Sequence, residues 1–145
     1  MASGVLCRGA WQRNLKNCPY SRVLEFWNTV SAILKSSPLR RNRKLFEPID
    51  SANDSIDANL KEGFEQSSDA SFARFVYTAK GSLEEVVTRL RQAARRGLIT
   101  EADLARVEKL AEPLGKMMGG FIKYLRASGF TDRGRHGIGP PPKTD

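Results

Sequence analysis

The sequence predicts an all-α protein, an antiparallel up-down-up-down four-helix bundle, and three observations carry that expectation. Four stretches place apolar residues at three- and four-residue steps, the spacing that gathers them on one side of a helix. Start and stop residues stand at their borders: Ser21, Ser68 and Thr100 in capping positions, Pro38 and Gly97 where helices end. The connections between the stretches are short, so neighbouring helices must double back on one another. At 145 residues the chain has the length of one domain.

Residues 1–20 form a basic arm with Arg8, Arg13 and Lys16 and no acid. It either stays disordered or docks through Trp11. Cys7 and Cys18 both lie here, at a spacing that fits no compact zinc motif, and the only histidine, His136, sits in the opposite tail. Idle thiols are the expectation, with no metal and no cofactor. The arm lacks the uninterrupted apolar segment of a secretory signal, and no run approaches a membrane span. The cytoplasm is therefore the expected location, with no membrane partner.

The bundle is expected over residues 21–128. Val23, Phe26, Trp27, Val30, Ile33 and Leu34 mark the first helix, 21–36, closed by Pro38. The connection Ser-Ser-Pro-Leu-Arg-Arg-Asn-Arg-Lys follows, and its Arg40, Arg41, Arg43 and Lys44 make the densest positive patch in the chain. The second helix is expected over 45–66, with Leu45, Ile49, Ala52, Ile56 and Leu60 inward and Glu47, Asp50, Asp54 and Asp57 as an acidic outer face.

Ser68 is placed to cap the third helix, and Asp69 complements the dipole of its first turn. Phe72, Phe75, Val76, Ala79, Leu83, Val86, Val87, Leu90 and Ala94 then share one broad sector, up to a C-cap glycine at Gly97. Thr100 and Asp103 form a near capping box for the fourth helix. Its inward residues run from Leu104, Val107 and Leu110 through Leu114, Met117, Met118, Phe121 and Leu125. Pro113 should bend this helix or break one hydrogen bond, and Gly129 should end it. The tail, 129–145, is rich in Gly and Pro and reads as disordered.

The net charge is +8 and the pI about 9.9, which points to acidic partners such as nucleic acid. Folding back polarises that charge. The connection after the first helix and the end of the third must share one end of the bundle, so Arg40, Arg41, Arg43 and Lys44 should gather with Arg89, Arg91, Arg95 and Arg96. Arginines there neutralise phosphates and release counterions, giving affinity without sequence reading. Tyr77, Lys80, Arg91 and Arg95 share an outer face of the third helix, where an aromatic among cations suits stacking on single strands.

Asn59, Glu62 and Gly63 are expected beside Ser82 and Glu85, either as a polar pocket or as a buried hydrogen-bond network. The network is the favoured reading. Glu62 and Glu85 could pair as catalytic carboxylates, but no nucleophile, metal set or histidine accompanies them. No enzyme and no catalytic residue are expected. Gly81 and the Ala111, Gly115, Gly119 ridge suit tight helix packing.

Asn59-Leu60-Lys61-Glu62-Gly63-Phe64, then Ser68, Phe72, Arg74-Phe75 and Ala79-Lys80-Gly81-Ser82-Leu83 through Glu85, resemble the bacterial "four helix bundle protein" family. Gly97-Leu98-Ile99-Thr100 and Gly115-Lys116-Met117-Met118-Gly119-Gly120 extend the likeness, which spans residues 21–128. Some members of that family are encoded within intervening sequences of large-subunit ribosomal RNA genes. The resemblance implies a closed homopentameric ring with no established enzymatic activity. It also implies a fold relative in the accessory protein of diversity-generating retroelements, a basic pentamer that works with a reverse transcriptase and its template RNA. The expectation is therefore an RNA-binding oligomer, with an accessory role beside a reverse transcriptase as the alternative.

Overall fold

Residues 19–127 are described by the computed structural model, and among them the fold is all-α, with no strand. The arm with Cys7, Trp11 and Cys18, the end of the last helix at Gly129 and the tail with His136 lie outside the described residues.

Four helices follow one another: α1 (Pro19–Ser36), α2 (Arg43–Phe64), α3 (Asp69–Arg95) and α4 (Glu101–Ala127), with a 3-10 turn (Pro38–Arg41) between the first two. Helix α1 opens at Pro19, ahead of the expected residue 21, because the fixed φ of proline suits a first turn. Helix α2 also begins early. Asn42 caps it by accepting from the Leu45 amide at 3.3 Å, so Arg43 and Lys44 belong to its first turn, and it ends at Phe64. Pro48 lies inside α2 and Pro113 inside α4, and both helices run through them.

The ends of α3 form as its sequence predicts. Ser68 Oγ accepts from the Ser71 amide at 3.2 Å. At the other end Gly97, at φ +71°, closes a Schellman motif, with Leu98 N donating to Ala93 O and Gly97 N to Ala94 O. Thr100 Oγ1 accepts from the Asp103 amide at 3.0 Å, starting α4.

Each helix packs on two neighbours, with α2–α3 and α3–α4 the closest pairs. One apolar cluster runs from Val23 to Leu125 and includes every inward residue expected of α2. An aromatic chain crosses all four helices. Tyr20 meets Phe64 at 6.5 Å between ring centroids, Phe64 meets Phe72 at 5.2 Å, and Phe72 meets Phe121 at 5.0 Å.

The acids of α2 differ from expectation. Asp54 accepts from Trp27 Nε1 at 2.8 Å, and Asp57 accepts from the Tyr20 hydroxyl at 2.6 Å and pairs with Lys61 at 2.9 Å. Two of the four therefore turn to α1 instead of forming a separate outer face, because the polar tips of Trp27 and Tyr20 need partners at the helix seam. Asn53 is fully buried behind them, donating to Trp27 O at 3.2 Å, and its Oδ1 has no partner among the described residues.

Desolvation, with the hydrogen bond to Asp57 next, holds the Tyr20 phenol above its ordinary value of 10.0. A raised pKa contributes stability that is complete below pH 10 and is lost as pH rises through the folded-state value. Titration at the tyrosinate absorbance should therefore show a late phenol for Tyr20, which Asp57→Asn moves back toward 10.0. An unchanged titration in that variant would contradict this contact.

Candidate nucleic-acid interface

The 3-10 turn holds its cations outward by burying one side chain. Pro38 presets the backbone and Leu39 is fully buried, so Arg40 and Arg41 on the far side are exposed. Arg43 and Lys44 follow in the first turn of α2, which contains no acid. Cations at the positive end of a helix dipole are unfavourable, and a bound anion relieves that.

At the far end of α3, Arg95 and Arg96 are exposed beside the glycine turn. The eight expected cations divide by pairing. Arg43 is held by Glu47 (Nε–Oε1 3.1 Å), Arg89 by Glu85 at 2.9 Å, and Arg91 by Glu108 of α4 at 2.7 Å. Arg40, Arg41, Lys44, Arg95 and Arg96 form no ion pair among the described residues. Those five are the charges free to meet an external anion.

The register between α2 and α3 relates the two sets. Gly63 lies against Phe72 and Phe75, and Ser55 accepts a hydrogen bond from Ser82 Oγ at 3.0 Å.

Of the expected polar constellation, Asn59 and Ser82 share Ser55: Asn59 Nδ2 donates to Ser55 O at 2.8 Å and to Ser55 Oγ at 2.9 Å. Glu62 is exposed, and Glu85 is paired to Arg89, so the two carboxylates stand outside this network. Gly63 is a packing notch. A Cβ there would lie 2.9 Å from Phe72 Cδ1 and 3.1 Å from Phe75 Cβ. Gly63→Ala should therefore cost about 1–3 kcal/mol, whereas Gly81→Ala, with nothing within 4 Å, should stabilise by about 0.5–1 kcal/mol. Urea unfolding of the two variants checks the opposite signs. Gly115 and Gly119 meet only side-chain ends, Leu83 Cδ2 and Lys80 Cε, each at 3.7 Å.

Tyr77 is exposed and Lys80 pairs with Glu84 at 2.6 Å. The Arg126 guanidinium lies 5.7 Å from the Tyr77 ring centroid. Tyr77 shares a face with Arg95 but sits about 27 Å from it along the helix, so it does not join the arginines at the end of α3. Two residues beside the 3-10 turn went unassigned in the sequence reading. Lys35, in the last turn of α1, and Ser37 line a cleft together with Arg40 and Arg41.

The model of the 23S rRNA-intervening sequence protein family matches residues 17–120. The chain belongs to that family. The match takes in α1, both cationic turns and most of α4, and stops before Tyr124 and Arg126. No curated protein matches the chain. The similarity runs through three whole helices and most of the fourth, not a short motif. Among the described residues there is no group of His, Cys, Asp and Glu that could hold a metal, and no helix long and apolar enough to cross a membrane.

Proposed function

We propose that this member of the 23S rRNA-intervening sequence protein family is a non-enzymatic, homo-oligomeric RNA-binding protein. Its four helices alternate in direction, so the 3-10 turn and the end of α3 meet at one pole. The contact pairs support this: continuing the register of Gly63 with Phe72 and Ser55 with Ser82 brings Arg43 and Lys44 level with the last turns of α3. The same reversal holds between α3 and α4, where Phe72 meets Phe121 and Arg91 meets Glu108.

The observation that carries the reading is the set Arg40, Arg41, Lys44, Arg95 and Arg96, without an ion pair among the described residues, in a chain of net charge +8. Such a set attracts phosphates through counterion release and reads little sequence. In a closed ring, a pentamer by the family resemblance, each pole is repeated about the axis and weak contacts reinforce one another.

Fluorescence anisotropy with a structured RNA tests the proposal. Between 50 and 200 mM salt the affinity should fall at least about 100-fold, and scrambling the sequence should change it little. Binding that is absent, or insensitive to salt, would overturn it. Sedimentation of the purified protein tests the oligomer, a monomer being the contrary result.

A further inference from the structure

We propose that the cleft between the end of α1 and the 3-10 turn is a binding site for a phosphate monoester. It is lined by Lys35, Ser36, Ser37, Pro38, Arg40 and Arg41, and so by three cations and no acid. None of the three cations forms an ion pair among the described residues. Basic side chains at the end of a helix have an ordinary use, offsetting the negative end of its dipole, and that accounts for Lys35. It does not account for Ser37.

The Ser37 hydroxyl oxygen is buried and has no hydrogen-bond partner among the described residues, although Ser37 precedes the 3-10 turn in a capping position. Its neighbour Ser36 is satisfied, donating to Ala32 O at 2.8 Å. A buried hydroxyl without a partner costs roughly 1–3 kcal/mol. Turned about its Cα–Cβ bond toward the cleft, the Ser37 hydroxyl can donate to one phosphate oxygen while Arg40 and Arg41 donate to the others, which removes that cost and neutralises the cations.

The charge count selects the form of phosphate. A diester within a strand brings one negative charge to three cations, whereas a monoester brings close to two near neutral pH. A monoester can be the end of a strand or a free small molecule. The choice of a strand end rests on the RNA-binding reading above; the cleft itself does not.

The test compares one RNA oligonucleotide carrying a 5′-phosphate, the same oligonucleotide with a 5′-hydroxyl, and inorganic phosphate alone, all against the full-length protein. The phosphorylated strand should bind about tenfold tighter, and the preference should grow as pH rises through about 6, where the monoester gains its second charge. Ser37→Ala and Arg40→Gln/Arg41→Gln should each erase most of that preference. Circular dichroism checks that the variants fold.

Equal binding of the two strands, both still salt-sensitive, would overturn the cleft and leave the general reading intact. Saturable inorganic phosphate binding lost in Arg40→Gln/Arg41→Gln, with neither strand bound, would support the cleft with a free phosphate source and overturn RNA binding. No binding of any of the three would overturn both.

Discussion

Replacing Arg40, Arg41, Lys44, Arg95 and Arg96 together by glutamine is expected to lower RNA affinity by roughly 1,000-fold at 0.1 M salt. If each cation meets one phosphate, the salt slope should flatten by about 3.5 for single strands and about 4.5 for duplex. The companion variant, with Arg43, Arg89 and Arg91 changed to glutamine, should lose far less. Those three already face Glu47, Glu85 and Glu108, so each phosphate contact must first displace a carboxylate. Exposed pairs of this kind contribute little to folding, so neither variant should unfold. Equal losses in both would mean that total charge, not the free set, drives binding.

Phe72→Ala should be the most damaging single substitution in the core, costing about 3–5 kcal/mol. Phe72 is fully buried in α3 and touches partners in two other helices: Phe64 and Gly63 of α2, and Phe121 of α4. Removing the ring empties the junction where the aromatic chain turns from α2 to α4. The Gly63 notch that fits the ring cannot close without moving backbone. Marginal stability of a domain this size is about 5–15 kcal/mol, so the variant should lose a large share of it. Thermal unfolding followed by circular dichroism checks this; a midpoint within a degree or two of the parent would contradict the packing described.

The helices were legible because their buried stripes keep the helical period, from Leu45 to Leu60 and from Phe72 to Leu90. Caps at Ser68, Gly97 and Thr100 were legible for a similar reason, since each is a local requirement of the backbone. Asn42 was harder. It caps α2 from within a run of arginines, and the charge masked the helix start. Asp54 and Asp57 looked like a solvent face because a helical wheel does not say which flank a neighbour covers. Their partners Trp27 and Tyr20 come from another helix.

The same limit applies to the candidate site. That Arg43 and Arg89 are paired could be read from Glu47 and Glu85 four residues away. That Arg91 is paired could not, since Glu108 comes from α4. Lys35 is separated from the arginine cluster by Ser36, Ser37, Pro38 and Leu39, and the cleft they border has no linear signature. Gly63 stood in a polar motif, while its role is set by a ring on the facing helix.

Arginine footprinting with phenylglyoxal, on the free protein and on its RNA complex, measures most directly whether the two turns form one phosphate-binding pole. Arg40, Arg41, Arg95 and Arg96 should be protected together, while the exposed Arg74 and Arg106 stay reactive. Protection of only one turn, or of Arg74 and Arg106 instead, would contradict it.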